Sequence, residues 1–226
     1  MRQMLFKSAI SQTLILAALA AAPAHAASGD LLIKARGSYN VSAGNASVDF
    51  TLDGQPISAQ PSNGIGGEAS ISLFLTDQIA LEGSLGGGKL DLKTAQGGGV
   101  MNAGMVMPAV SMQFYPLGSE ATIRPYLGVG GAYFKIYNAN PGEVFTNRPT
   151  SPSMPQHNDT LRFDAKLVPV VHAGLDYAIT PSAFLTVEGR YSAFDTKIHI
   201  STAQLTTSRP FALRNVSISL GAGFRF

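Results

Sequence analysis

The sequence has no cysteine and no tryptophan among its 226 residues. The absence of cysteine excludes disulfide bonds, thiol chemistry and zinc sites built on thiolates. Charged residues make up only 13% of the chain, whereas a globular domain in water carries about a quarter. After residue 26 no run of about 18 apolar residues occurs, so no membrane-spanning helix is predicted there. No basic block or nucleic-acid motif is present either, and we expect no nucleic-acid partner.

The first 26 residues have the pattern of an export signal. Arg2 and Lys7 make a positive start, Leu14–Ala22 form a short apolar core, and a small-residue cleavage site follows. We therefore expect a signal peptide over residues 1–26 and one mature β domain over residues 27–226. The chain has 16 Lys and Arg against 14 Asp and Glu. Removal of Arg2 and Lys7 (16 − 2 = 14) would leave the mature chain balanced.

The end of the chain alternates strictly between apolar and polar or small residues. Between Arg214 and Phe226 the even positions are apolar and the odd positions are polar or glycine. This alternation is typical of a strand with one face toward an apolar medium. Seven earlier segments repeat the pattern at the ~9–11 residues that a tilted membrane strand requires. The eight predicted strands are Leu31–Val41, Ile65–Thr76, Gln78–Asp91, Gly104–Tyr115, Ile123–Tyr137, Leu161–Tyr177, Ala183–Ile200 and Arg214–Phe226.

The connections between these strands alternate in length. Those at 76–78, 116–121 and 178–182 are short and turn-like, whereas those at 42–64, 92–103, 138–160 and 201–210 are long. Short turns on one rim and long loops on the other are typical of bacterial outer-membrane barrels. Because every N–H and C=O must be paired in lipid, the sheet must close. The sequence therefore predicts an all-β, eight-stranded antiparallel transmembrane β-barrel in a Gram-negative outer membrane, with both termini periplasmic.

The polar faces of the predicted strands carry charges of both signs. An eight-stranded barrel has an interior just wide enough for side chains. We expect opposite charges to pair there and to form a polar plug toward the periplasmic side. The predicted network comprises Lys34, Arg36, Glu68, Glu82, Arg124, Asp176, Glu188 and Arg190.

Alternation fails at Met105–Pro108 and Leu167–Val171, where both faces are apolar. An apolar inner face near the long loops would suit a pocket for an apolar solute. Each segment also contains a proline, which cannot donate to a strand ladder, and a missing bond there would suit a lateral exit into the membrane. The alternative is that these side chains fill the upper interior and the prolines lie at bulges. The candidate passage residues are Val106, Met107, Pro108, Val168, Pro169 and Val170.

Four segments resemble, in order and spacing, those of the OmpW family of small outer-membrane proteins: Arg124–Tyr133, Ala173–Ile179, Tyr191–Thr196 and Gly221–Phe226. The resemblance spans most of the chain after the signal peptide. It implies an eight-stranded outer-membrane barrel and the uptake of small hydrophobic compounds. It also implies that the barrel-assembly machinery recognises the C-terminal strand ending in Phe226.

Two other functions remain open at this stage. One is a structural or receptor barrel whose outer loops bind partners. The other is a lipid-modifying hydrolase, because His199 and Ser201 share a strand face and Asp195 has the same parity. A polar strand rim explains these three residues more simply. We expect no catalysis, cofactor or metal, and the expected partners are outer-membrane lipid and small hydrophobic solutes.

Overall fold

The computed structural model describes residues 29–43, 47–52, 54–117, 121–146, 160–201 and 206–226. The predicted signal peptide, residues 1–26, lies outside these ranges, as does most of the proline-rich connection that follows residue 146. Within the described residues, no helix has the length and apolar character needed to cross a membrane.

The described chain is almost entirely β-structure. Its elements in chain order are β1 (Leu31–Ser42), β2 (Val48–Leu52), β3 (Gln55–Pro61), β4 (Gly64–Phe74), β5 (Ile79–Thr94), β6 (Gly99–Phe114), β7 (Ile123–Pro141), α1 (Glu143–Thr146), β8 (Thr160–Phe163), β9 (Lys166–Ala178), β10 (Ala183–Ser201) and β11 (Thr206–Arg225).

Eight of these strands close into a ring. β1 pairs with β4 on one side and with β11 on the other, and the ring continues through β10, β9, β7, β6 and β5 back to β4. Every pairing is antiparallel, which confirms the predicted eight-stranded antiparallel barrel. The first and last strands meet at the rim with the short turns, where Leu31 N donates to Phe226 O over 3.0 Å.

Strand parity separates an apolar outer wall from the interior. On β7, Leu127 and Val129 are each 62% exposed, whereas Tyr126, which directly precedes Leu127, is 1% exposed. Large apolar side chains cover the outer surface of every strand of the ring in the half nearer the short turns. Exposure of so much apolar surface to water is unfavourable, so this surface is expected to lie in the hydrocarbon of a membrane.

Along the longer strands, the apolar residues change from the outer face to the inner face of the wall. On β5, Leu81 and Leu85 face outward and Glu82 faces inward. Nearer the long loops, Leu90 and Leu92 are buried inside and Lys89 is exposed outside. The wall is therefore apolar outside where it meets lipid and apolar inside where it rises above the lipid.

This reversal explains where the predicted boundaries are wrong. The predicted connection 92–103 is mostly strand, since β5 continues to Thr94 and β6 begins at Gly99. Similarly, β11 begins at Thr206 and not at Arg214. The residues in these extensions have apolar side chains on the inner face and polar side chains on the outer face. This pattern is expected of a strand that continues above the membrane, and it differs from the lipid-facing pattern used for the prediction.

Two further corrections concern the long-loop side. The predicted connection 42–64 contains the hairpin β2–β3, and β3 pairs with β5. The predicted strand Leu161–Tyr177 is split into β8 and β9, which pair with different parts of β10. The sheet thus extends well above the lipid-facing ring.

The interior has three layers. An apolar floor at the short-turn end consists of Leu32, Phe74, Ala80, Tyr115, Tyr126 and Phe184. A charged layer lies above the floor. A larger apolar cluster, the upper chamber, fills the long-loop end and includes Phe50, Leu92, Met101, Phe134, Phe145, Val168, Ile198 and Phe211.

The lipid-facing parity of β7 predicts a cost for charge on its outer face. We expect Val129→Arg to lower the free energy of unfolding in lipid vesicles by about 2–4 kcal/mol, the cost of a cation near the bilayer midplane. Val129→Leu is the matched control and should leave stability nearly unchanged. Urea titration followed by gel mobility of the folded barrel measures both, and equal stability of the two variants would contradict the assignment of this face to lipid.

Candidate functional site in the barrel interior

Arg36 on β1 is the centre of the charged layer. Its Nη1 donates to Glu188 Oε2 over 2.9 Å, and its Nη2 donates to Glu68 and lies 3.5 Å from Glu82 Oε2. These carboxylates come from β10, β4 and β5. One guanidinium therefore joins strands on opposite sides of β1, which only an inward position in a closed barrel allows.

Arg190 on β10 completes this cluster. It contacts Glu68, and its Nη2 lies 2.9 Å from Glu188 Oε1 and 3.7 Å from Glu82 Oε1. Two guanidinium groups thus share three carboxylates, and all five side chains are nearly or wholly withdrawn from solvent. Buried charges persist only when they are paired and hydrogen-bonded in this way.

Neutral and aromatic groups extend the cluster toward β7 and β9. Tyr126 donates to Glu188 Oε2 over 2.9 Å, and His172 Nδ1 lies 3.0 Å from the same oxygen. The other ring nitrogen of His172 lies 3.1 Å from Ser111 Oγ. These partners are absent from the predicted network, because a tyrosine and a histidine on a polar face carry no charge signal in the sequence.

Two glycines make room for these rings. A Cβ at Gly128 would lie 2.0 Å from His172 Nε2, and one at Gly174 would lie 2.3 Å from the Tyr126 ring. The rings therefore lie across the neighbouring strand, where a larger residue would exclude them. The inward glycines of β7 and β9 are thus part of the charged layer.

A second ion pair lies nearer the floor. Lys34 Nζ lies 3.1 Å from Asp176 Oδ2, and it donates to Tyr115 OH over 3.1 Å. The ammonium also lies 4.4 Å from the centroid of the Tyr126 ring, within the range of a cation–π contact. Both charged side chains are fully buried.

Arg124 is the one member of the predicted network that joins neither group. It is buried against Phe184, with 5.4 Å between its guanidinium carbon and the ring centroid. None of its guanidinium nitrogens has a hydrogen-bond partner within the described ranges. The structure therefore brings together seven of the eight predicted network residues, in two groups.

The carboxylates of this layer are poorly suited to a metal. One ligand atom from each of Glu82, His172 and Glu188 lies within 4.8 Å of the others. However, Arg36 and Arg190 already occupy these carboxylates. An added cation would have to displace a guanidinium group, so the chemistry of this cluster is ion pairing.

The predicted passage residues divide between the two faces of the wall. Met107, Val168 and Val170 belong to the interior, where Val168 and Val170 are fully buried. Val106 and Pro108 share the outward parity of Val110, and Pro169 pairs with outward-facing Gly131. The candidate passage residues thus comprise three that face the interior and three, Val106, Pro108 and Pro169, that lie in the wall and face outward.

A cavity lies where the charged layer meets the upper chamber. It measures about 50 Å³ and is lined on its apolar side by Met105, Met107, Phe134 and Phe194. Its polar side includes Asn40 and other polar side chains of β1, β10 and β11. A second cavity of about 30 Å³ shares Asn40 and both methionines and reaches Glu68 and Arg190. One side of this interior space is thus apolar and the other side is polar.

The wall around this cavity is interrupted in two places. Between β6 and β7 the pairing passes from Ala109–Ala132 to Val106–Lys135 and omits Met107 and Pro108. Between β9 and β10 it stops at Val170–Ser192, one residue before Pro169, and resumes through β8 at Phe163–Ile198. Each interruption contains one of the two prolines, which lack the N–H that a ladder needs.

His199 has partners other than Ser201 and Asp195. Its Nε2 lies 3.1 Å from Asp164 Oδ1 and its Nδ1 lies 3.0 Å from Ser208 Oγ. The hypothesis paired it with Ser201 and Asp195. The His199 and Asp164 side chains are 44% and 49% exposed, and the Ser208 backbone is in register with β10. His199 and its partners thus form a solvent-exposed group of hydrogen bonds on the upper part of the barrel.

Comparison with known proteins identifies the family of the fold. The model of the OmpW family matches residues 27–226. The crystal structure of outer membrane protein OprG from Pseudomonas aeruginosa is similar, with a TM-score of 0.70, 18% identity and coverage of 90% of this chain and 98% of that chain. AlkL, solved in DMPC bilayers, has a TM-score of 0.65, 19% identity and coverage of 92% and 94%. Neisserial surface protein A has a TM-score of 0.53, 14% identity and coverage of 88% and 98%. No curated protein sequence matches the chain.

Because Arg36 pairs with three buried carboxylates, removal of its charge is predicted to cause a large loss of stability. We expect Arg36→Gln to lower the free energy of unfolding by about 3–5 kcal/mol, because Glu68, Glu82 and Glu188 would lose a buried counter-charge. Arg162→Gln is the control, since Arg162 is exposed on the outer wall and should change stability by about 0.5 kcal/mol at most. Urea titration in vesicles compares them, and equal effects would show that the charged layer contributes no stability.

Proposed function

Because the chain belongs to the OmpW family and forms an outer-membrane β-barrel, we propose that it binds small hydrophobic molecules and passes them sideways into the membrane. The observation that carries this proposal is a methionine-lined cavity that adjoins two interruptions of the wall and lies above a charged layer. Solute would enter from the long-loop side, rest in the upper chamber and leave through the wall.

The charged layer makes a straight path through the lumen unfavourable. An apolar solute there would separate buried ion pairs such as those of Arg36 and Lys34 without offering hydrogen bonds in return. In the upper chamber the same solute contacts apolar side chains and gains roughly 25 cal/mol per Å² of buried apolar surface. The interior therefore favours entry into the chamber and opposes passage beyond it.

The cavity must widen to accept a solute. Its volume of about 50 Å³ suits a few water molecules better than a hydrocarbon of several carbons. Met105 and Met107 line it, and methionine side chains adapt their shape readily because they are unbranched and flexible. The stacked rings of Phe50 and Phe145, 5.9 Å apart, cover the chamber on the long-loop side, so entry also requires these elements to part.

The interruptions at Pro108 and Pro169 supply the proposed exits. Met107 and Phe134, which line the cavity, lie on the two sides of the interruption between β6 and β7. Ser192 and Phe194 line the cavity beside the other interruption. Strands separate most readily where ladder hydrogen bonds are already missing, so these are the least costly places for lateral opening.

We place both termini in the periplasm and the long loops outside the cell. Short turns on the periplasmic rim are the rule for barrels of this kind, and both ends of the described chain lie on that rim. In this arrangement the C-terminal strand ending in Phe226 is presented to the barrel-assembly machinery. The proposed function involves no catalysis, cofactor or metal.

A charge placed inside the upper chamber should block uptake. We expect Met107→Asp and Val168→Asp to reduce the uptake of the apolar dye N-phenylnaphthylamine by at least about tenfold, because a buried unpaired carboxylate holds water and repels an apolar solute. Met107→Leu is the matched control and should retain most uptake. Dye fluorescence in cells or proteoliposomes gives the rate, and wild-type rates in folded aspartate variants would overturn the chamber as a binding site.

The lateral exit can be tested separately, since the chain has no cysteine. Pro108 and Tyr133 lie opposite each other across the interruption between β6 and β7 by the register on either side. We expect a disulfide in the Pro108→Cys/Tyr133→Cys variant to lower dye uptake to the share carried by the remaining exit between β9 and β10, and reduction to restore it. The control pair Val110→Cys/Gly131→Cys spans an intact part of the same ladder and should transport normally when oxidised. Uptake by the oxidised first pair equal to that of the control would exclude this exit.

A further inference from the structure

The upper edge of the apolar belt is marked by basic side chains on the outer wall. On β5 the outward positions from Ile79 to Gly87 are apolar or glycine, and the next is Lys89. On β7 those from Ile123 to Tyr133 are uncharged, and the next is Lys135. On β11 those from Phe226 up to Val216 are uncharged, and the next is Arg214. All three basic side chains are exposed.

A fourth basic residue lies between these strands. On β10 the first charged outward residue is Asp195, and Lys197 follows at the next outward position. We call Lys89, Lys135, Lys197 and Arg214 the basic collar. Within the described ranges no carboxylate lies within 4 Å of any of these four cations. Asp91 and Asp195 lie at outward positions next to Lys89 and Lys197, so the excess positive charge of the collar rests mainly on Lys135 and Arg214.

Among the residues that the structure describes, no outward-facing basic side chain lies at the other edge of the belt. At the short-turn end, the described charged residues near the rim are Asp30, Asp77 and Arg225, and Arg225 shares the inward parity of the buried Gly223. Lys34 and Arg124, which are the basic residues nearest that end on β1 and β7, point into the lumen. In the described part of the chain, outward-facing cations thus mark only the edge of the belt nearer the long loops.

We propose that the basic collar binds the phosphate groups of phosphorylated glycolipid, the lipid A type, in the outer leaflet. Cations at a membrane boundary are attracted to anionic headgroups, and lysine and arginine form charge-assisted hydrogen bonds with phosphate. The apolar belt directly below the collar would contact the acyl chains of the same lipid. A soluble anion would use only half of this surface, so the combination selects an anionic lipid.

This inference rests on the proposed orientation, with the long loops outside, but it does not depend on transport. It also assigns a second purpose to the upper wall. Bound glycolipid would cover β5 to β11 at the level where β6 separates from β7 and β9 separates from β10. Lipid packed there would seal the outer boundary of the proposed exits.

The test uses full-length folded barrel in nonionic detergent, titrated with fluorescent lipid A that carries two phosphates. We expect binding at least about tenfold tighter than that of dephosphorylated lipid A or phosphatidylglycerol. Lys135→Gln/Arg214→Gln should weaken lipid A binding roughly tenfold or more. The control is Lys166→Gln/Arg209→Gln, which removes two exposed charges from the same end but at positions paired with inward-facing Phe134 and Ile198. It should bind as wild type does.

Three results would overturn the proposal. These are equal affinity for lipid A and phosphatidylglycerol, equal affinity for the phosphorylated and dephosphorylated lipids, and equal loss in the two double variants. Lys135→Arg/Arg214→Lys keeps both charges and should keep wild-type affinity, so loss of binding through misfolding can be recognised. Dye uptake measured on the same variants reports transport separately, and unchanged uptake beside absent lipid binding would leave the proposed function intact.

Discussion

The structure depends on the pairing of every backbone N–H and C=O group within hydrocarbon. This constraint closes the eight-stranded ring and fixes which residues face lipid and which face the lumen. Once Arg36, Lys34 and their neighbours are assigned to the lumen, they cannot reach water through the apolar floor or the upper chamber. They can be accommodated only by pairing with the carboxylates that the same parity places opposite them. The charged layer is therefore a consequence of closure as much as of the individual side chains.

The interior is divided along the barrel axis, and the division determines what the protein can do. Charges fill the narrow part that lies within the lipid belt, and apolar side chains fill the part above it. The two meet at a small cavity beside both interruptions of the wall. Met107 illustrates the arrangement, because it lines the cavity while its neighbour Pro108 faces lipid at a missing ladder bond. In the proposed function, a solute in the upper part would leave through the wall at these interruptions and would not cross the charged layer.

The lipid-facing half of the barrel could be predicted from the sequence, because Leu127, Val129 and their equivalents alternate with inward polar residues. The charges of the network were also predictable, since Arg36 and Glu188 alternate with lipid-facing residues and must therefore point into the lumen. The upper half was harder to predict, because Leu90 and Leu92 turn inward while Lys89 turns outward, which reverses the pattern. The failure of alternation at Met105–Pro108 marks this reversal, where lipid still lies outside and the apolar chamber already lies inside.

Other features could not be predicted because they arise from three-dimensional contacts alone. Nothing in the sequence around His172 indicates that its ring lies over Gly128 and reaches Glu188 and Ser111. The hairpin β2–β3 was hidden for a similar reason, since its apolar residues such as Phe50 are explained only by the cluster that they cover. The partners of His199 were also unpredictable, as Asp164 and Ser208 come from separate strands or connections.

The central claim is that the lumen is closed to water and ions while apolar solutes leave through the wall. Conductance across a planar bilayer that contains the purified barrel, recorded beside dye transfer by the same preparation, tests this claim most directly. The account predicts dye transfer without a steady ionic current. A stable current that is proportional to voltage would show a continuous aqueous path through the charged layer and would contradict the account.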